Sequence, residues 1–183
     1  MSLAGQVLEE LRPGLAPEVL AQIPDLSERL ARARRIVCYG VGREGLMMKS
    51  LAMRLYHLGL DAHVQGDMTT PPVGDGDLLF VSAGPGSFST VAALARVAQK
   101  AGAEILCITA EPTGAVPKFA DMVAHIPAQT MAADQGAAQT SILPMGSLYE
   151  ALMFLFFELL VLDLRDRLGI APDTMRANHT NLE

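Results

Sequence analysis

The sequence predicts an α/β fold: a three-layer sandwich with a five-stranded parallel sheet flanked by helices. Three observations predict it. Short apolar runs recur along the chain at RIVCYG, DAHVQG, DLLFVSAG, EILCITA and DMVAHIP, as strands buried on both faces do. Segments with helical spacing of apolar residues alternate with them, the pattern of a parallel sheet. Two of the runs pass directly into glycine-rich turns, Gly40–Gly45 and Gly84–Gly86, ahead of helix-like segments. Right-handed crossovers make such a chain a doubly wound sheet.

The elements follow in order. Val7–Leu11 and Val19–Ala33 have helical spacing, split by Pro13-Gly14 and Pro17. Arg35–Gly40 is the first strand. Leu46–Gly59 is a helix that stops at a glycine. The runs DAHVQG and DLLFVSAG are the second and third strands, joined through a turn at Asp75-Gly76-Asp77. A helix spans about Ser87 to Ala101. Glu104–Ala110 is the fourth strand and Asp121–Pro127 a short fifth. Ala128–Ser141 is polar and has no clear period. A long helix starts near Pro144 and ends before Gly169, and Pro172–Glu183 closes the chain.

A chain of 183 residues suits one domain, here read as 1–183 with N-terminal helices over 3–33 and a C-terminal helix plus tail over 144–183. Net charge is -6 and no basic stripe appears, which argues against nucleic acid as a partner. Arg29, Arg32, Arg34 and Arg35 read instead as the polar side and end of a helix. Cys38 and Cys107 lie in apolar runs without a CxxC or Cys/His cluster. They read as small buried hydrophobes in a reducing, cytoplasmic setting. The longest apolar stretch, Leu148–Leu162, has 15 residues and includes Glu150 and Glu158. A membrane span needs about 20 with few charges, so no membrane partner is expected. Its apolar residues run nearly all the way round, which points to subunit contact and a homo-oligomer.

In an open α/β sheet, ligands sit beyond the carboxyl ends of the strands, where both glycine turns fall. Gly40, Gly42 and Gly45 match GxGxxG, with Asp67 about twenty residues on, the arrangement of a dinucleotide site. Glycines favour any tight strand-to-helix turn, however, and Glu44 would place a carboxylate where a pyrophosphate would sit. An NAD-type oxidoreductase is therefore a minor alternative.

Several segments together carry a resemblance: GVGREGLMMKSLAMRLYHLG, GDMTTPP, GDLLFVSAGPGS, PMGSLYE and the terminal HTNLE. In this order and spacing they resemble the 6-phospho-3-hexuloisomerases of the sugar isomerase (SIS) domain superfamily, from about Arg34 to Glu183. The resemblance implies the SIS fold and no metal or organic cofactor. It implies interconversion of 3-hexulose 6-phosphate and fructose 6-phosphate through an enediol. It also implies a small-molecule sugar or sugar-phosphate partner and a dimer or, as is common in the family, a tetramer. Glu150 falls at the family's proposed catalytic carboxylate. His179 matches the histidine of its terminus, and the tail could reach a neighbouring subunit's site. His57 is a second candidate acid, against a packing role in its helix. Gly42, Arg43, Asp67, Thr69 and Thr70 match positions that line or shape the pocket.

Two loops depart from the pattern. The family's first loop typically reads GRSG, and Glu44 replaces its serine. Its second typically reads SGSGET, where this chain has Ala83-Gly84-Pro85-Gly86-Ser87-Phe88. Three hydroxyls and one backbone N–H are gone. A hydrogen bond to a charged group contributes about 1.5–3 kcal/mol. Losing two would weaken phosphate binding by roughly a hundredfold or more. Gly84 and Gly86 should keep the turn, with Ser87 and Ser89 left to hold an anion. Glu44 is expected to repel it. These departures support an alternative, a SIS domain that binds or isomerises a sugar derivative lacking the usual phosphate. Ser147-Leu148-Tyr149-Glu150 also reads as a capping box, in which Glu150 would simply satisfy a helix start.

Overall fold

The computed structural model describes residues 1–182; Glu183, the last residue of HTNLE, lies outside them. Five strands form one sheet: β1 (Arg35–Tyr39), β2 (Ala62–Val64), β3 (Asp77–Ser82), β4 (Glu104–Thr109) and β5 (Met122–His125). Every neighbouring pair is parallel and the order is β2-β1-β3-β4-β5. The expected sandwich is the observed one.

Parallel strands need crossovers, and their helices cover both faces. Because strand side chains alternate, each central strand feeds two cores. Ile36, Cys38, Leu78, Phe80, Leu106 and Ile108 face a larger core. It is completed by α3 (Ile23–Arg32), α4 (Gly42–His57) and α6 (Ser147–Leu168). Val37, Leu79, Val81, Ile105 and Cys107 face a smaller one under α5 (Ser89–Ala101). Both cysteines are free and buried, and burial pushes each thiol up to about 12.

The N-terminal segment begins earlier than its apolar spacing shows, with α1 over Leu3–Leu11 and the short α2 over Pro17–Leu20. The helix expected from Leu46 begins at Gly42, because Gly42 takes φ +58 and turns the chain directly into α4. The polar stretch 128–141 contains two short 3-10 turns, Met131–Ala133 and Gly136–Ala138. The tail forms α7 (Pro172–Ala177) and packs back on α4.

The arginine cluster is paired along the amino ends of the strands. Arg29 and Arg32 meet Glu104, Arg34 meets Asp77 through two bonds of 2.8 and 2.9 Å, and Arg35 meets Asp61. Asp77 is thus more than a turn residue: it opens β3, and the Arg34 guanidinium holds its carboxyl below the usual range. No helix among the described residues is long and apolar enough to cross a membrane. In α6 the buried residues Leu148, Leu152, Phe156, Leu160 and Leu164 face the core, while Phe154 and Leu162 are exposed.

Ser27 lies in the middle of α3, fully buried, and its hydroxyl has no hydrogen-bond partner. An unpaired buried hydroxyl is destabilising, and alanine is the better helix former. Ser27→Ala should therefore raise unfolding stability by about 1 kcal/mol, read from the urea midpoint at constant m. A loss of stability would mean that the hydroxyl is satisfied in solution.

Candidate active site

The strand order reverses between β1 and β3, since β1 leads to β2 on one side and β3 to β4 on the other. Loops beyond the carboxyl ends of two such strands diverge around a crevice, where doubly wound sheets bind ligands. The first loop, Gly40–Gly45, follows β1. The second, Ala83–Phe88, follows β3. The start of α6 packs beside both.

Two elements meet at Glu150, the start of α6 and Arg43 at the start of α4. Gly146 precedes α6 in a left-handed conformation, φ +80, and no side chain caps the helix. The capping box is therefore not formed. Ser147 instead accepts a hydrogen bond from Arg43 Nη1 at 3.1 Å. Glu150 is 9% exposed, and its Oε2 lies 2.8 Å from Arg43 Nε. The Arg43 N–H is not aimed at that oxygen, which has a cation beside it but no hydrogen-bond donor. Burial pushes the Glu150 carboxyl up and the Arg43 charge partly offsets this. The result is a shielded carboxyl with one buried oxygen that lacks a donor, a group of the kind that serves as a general base.

Glu44 is where the structure corrects the sequence reading. It does not project toward a ligand. It is 8% exposed and turned inward, and its Oε2 accepts Ser82 Oγ–H at 2.6 Å and Gly84 N–H at 2.9 Å. The first loop thus grips the second. Tyr149 closes the cluster from α6, its hydroxyl 3.3 Å from Ser82 Oγ. Burial raises the Glu44 pKa above its ordinary value, the bonds from Ser82 and Gly84 oppose this, and the Glu150 charge adds to it. Tyr149 is raised well above its ordinary value, first by burial and then by the Glu44 charge.

The second loop is also held from β4. Thr109 Oγ1 donates to Ala83 O at 2.6 Å, Ala110 N–H to Gly84 O at 3.0 Å and Val116 N–H to Gly86 O at 2.9 Å. Gly86 has φ +76, and a Cβ added at Gly114 would come within 2.4 Å of Gly86 Cα. Both positions need glycine, so the turn survives its sequence changes. Ala83 is buried within it, Phe88 packs on the smaller core, and Ser87 and Ser89 are exposed. The GxGxxG spacing has a similar local cause: a Cβ on Gly45 would lie 2.5 Å from Gly40 O.

The remaining candidates divide. Asp67, Thr69 and Thr70 lie past β2 and line a depression with Lys49, Tyr56 and His63; Thr70 Oγ1 also donates to Val64 O at 2.6 Å. His57 and His179 are brought together, ring centroids 5.1 Å apart, at the last turn of α4, where Asn178 Nδ2 donates to His57 O at 3.0 Å. They do not join Glu150 within one chain. Arg43 opens α4 and His57 ends it, and a 16-residue helix is about 24 Å long.

The sequence reading missed the inward role of Glu44 and the parts played by Ser82, Tyr149 and Thr109. A signal for Glu44 existed. Glu44, Met48, Leu51 and Leu55 share one helical stripe, and all four are buried.

The raised Glu44 pKa has a testable consequence. A carboxyl whose folded pKa exceeds its unfolded one weakens the fold above that folded pKa. The penalty disappears as pH falls toward the unfolded value. Glu44→Gln removes this term. The difference in Tm, Glu44→Gln minus wild type, should be more positive at pH 8 than at pH 5. Equal differences at both would show that Glu44 does not titrate in this window.

This geometry has relatives. Residues 29–155 match the SIS domain family. The chain is 33% identical to a 3-hexulose-6-phosphate isomerase of Bacillus subtilis (strain 168), over 97% of this chain and 96% of that protein. It is 38% identical to a 3-hexulose-6-phosphate isomerase of Mycobacterium gastri, over 88% of this chain and 80% of that one. A crystal structure from Methanococcus jannaschii, for which a function of 3-hexulose-6-phosphate isomerase is inferred, superposes with a TM-score of 0.83 at 26% identity. It covers 98% of each chain. By its fold, its two strand-end loops and these matches, the chain belongs to the SIS domain family.

Proposed function

We propose that this protein is a phosphosugar isomerase that interconverts 3-hexulose 6-phosphate and fructose 6-phosphate. The observation that carries the reading is Glu150: a buried carboxyl whose pKa burial raises, beside Arg43 of the first loop, with an acceptor oxygen that has no donor. Its relatives' activity supplies the substrate class.

In this reading Glu150 takes the proton from the hydroxyl-bearing carbon next to the carbonyl. The electron pair forms the enediol as the carbonyl oxygen takes a proton from the acid. A proton returned to the former carbonyl carbon, while the neighbouring hydroxyl gives its proton back to that acid, completes the shift, and the carbonyl ends on the neighbouring carbon. No electrons leave the substrate. Arg43 keeps Glu150 ionised above its folded pKa and offers its exposed guanidinium to the sugar oxygens. The second loop, at the start of α5, holds the phosphate with the N–H groups any helix start leaves open. Gly42, Asp67, Thr69 and Thr70 shape the sugar side.

The acid belongs to a second copy of the chain. The His57–His179 pair sits about one α4 length, about 24 Å, from Glu150 in its own chain. The exposed Leu46, Met53 and Phe154 on α4 and α6 offer an apolar surface for that association. A homo-oligomer would then build each site from two chains.

A second reading is favoured by Glu44, Ala83, Pro85 and Phe88: the bound sugar derivative lacks a phosphate at this loop. Stabilisation by neutral sugars but not by hexose 6-phosphates in a thermal-shift series would select it.

Glu150→Gln should lower kcat by at least about a hundredfold, the usual contribution of a general base, with little change in Tm. Intact turnover would remove Glu150 from that role. The acidic limb of the kcat/KM profile should lie above the ordinary carboxylate range, as the raised Glu150 pKa requires. Arg43→Gln should move it to higher pH, because the lost positive charge no longer favours the ionised form. For the shared site, co-expressed Glu150→Gln and His179→Ala chains should regain activity that neither has alone. A mixed oligomer that forms and stays inactive would confine the chemistry to one chain.

A further inference from the structure

The second loop has a tenant. In a phosphate-binding turn, inward backbone N–H groups and neighbouring hydroxyls meet the anion's oxygens. Here two such donors, Gly84 N–H and Ser82 Oγ–H, already converge on one oxygen, Glu44 Oε2, at 2.9 and 2.6 Å. The space around it is full. A Cβ added at Gly84 would lie 2.7 Å from Glu44 Oε1 and 2.7 Å from Tyr149 Cε1. Arg43, next in sequence, turns the other way toward Glu150 and Ser147. Glu44 therefore has hydroxyl and backbone donors around the oxygen it uses, as a bound anion at this turn would.

We propose that Glu44 is a resident acceptor and the specificity-determining residue of this loop. It occupies Gly84 N–H and Ser82 Oγ–H, so a ligand's anionic group is held only by the outer half, the N–H groups and hydroxyls of Ser87–Thr90. The proposal rests on the reading of Gly84–Ser89 as the anion-binding loop.

The loop's composition fits this division. In its inner half, Ala83 and Pro85 bring no side-chain donor, and Pro85 brings no N–H. Gly86 N–H is spent on Ala83 O at 2.8 Å. Donors resume at Ser87, and Ser87, Ser89 and Thr90 are exposed. The inner half is tied to Glu44 and to the segment after β4, and the outer half is exposed. The favoured ligand is thus a sugar phosphate whose phosphate sits further out along α5 and is gripped by fewer groups. Glu44 acts on it through the loop and touches neither the phosphate nor the reacting carbons.

The test uses inorganic phosphate and the amide spectrum of the deuterated, 15N-labelled full-length protein. In wild type, saturating phosphate should shift the amides of Ser87–Thr90 and leave Gly84 unmoved. Glu44→Ser frees the two inner donors; the Gly84 amide should then join the shifting set and the phosphate Kd should fall at least tenfold. Glu44→Gln, whose amide oxygen can still accept from Gly84 N–H, should reverse most of that gain. Any of four results overturns the proposal. Gly84 shifts with phosphate in wild type; no amide of the loop shifts; Glu44→Ser binds no tighter; or Glu44→Gln binds as tightly as Glu44→Ser, which would assign the effect to charge. If Glu44→Ser does not fold, the wild-type spectrum alone decides. Turnover is measured separately with sugar phosphates. A wild-type chain without turnover whose Glu44→Ser variant gains phosphate affinity would sink the isomerase reading and keep this one.

Discussion

A parallel sheet must be covered on both faces, and that constraint organises the molecule. Each crossover returns the chain to the same end, so all five strands release their carboxyl ends along one rim. The order β2-β1-β3-β4-β5 then places the loops after β1 and β3 side by side. The larger core requires a helix long enough to cover Phe80, Leu106 and Ile108, and α6 supplies it with Leu152, Phe156 and Leu160. Burying α6 carries its first turn to the same rim. Tyr149 and Glu150 arrive at that rim, beside Ser82 and Arg43, because the helix behind them has to cover the sheet.

The strands were legible in the sequence because burial on both faces leaves an unbroken apolar run. The register of β1 on β3, with Cys38 opposite Phe80, is not fixed by such runs, since a slip would still bury apolar residues on both faces. Helix starts were less legible. Gly42 allows α4 to begin four residues before its apolar spacing becomes visible, and local propensity does not announce that. The polar stretch before α6 could not be read at all. Its shape depends on distant partners: Glu10 holds Ser141 and Ile142, and Asp134 accepts from Met145 N–H at 2.9 Å. Met145 has φ +54, which a methionine adopts only when its surroundings impose it.

For the site, residue type and position are easier to read from sequence than orientation. The motif singles out Glu150, yet the same four residues also spell a capping box, and only the left-handed Gly146 shows that the box is not formed. Glu44 was seen as an anion beside a helix start, where its charge would face the ligand. Its helical stripe with Met48 and Leu51 carried the opposite message, that the side chain points into the protein. Periodicity outranked the local charge argument because a buried stripe is fixed by the whole sheet face. The His57–His179 contact depends on how the tail folds back, which no local pattern encodes.

Glu44 and Glu150 then show how one rim gives two carboxyls different work. Both are buried and both are raised by burial. Glu44 meets two donors on one oxygen, both from the strand end and loop that it braces. Glu150 meets a guanidinium that is close but not aimed, so its oxygen keeps an open lone pair. Hydrogen bonds partly offset the rise for the first, and only the Arg43 charge offsets it for the second. The loop changes then form one set. Once a carboxyl stands at position 44, the inner half of the second loop has its acceptor, and hydroxyls at 83 and 85 would have no anion left there to hold. Ala83 and Pro85 lack side-chain donors at the positions where Glu44 makes them redundant, while Ser87 and Ser89 carry hydroxyls at the exposed end of the loop.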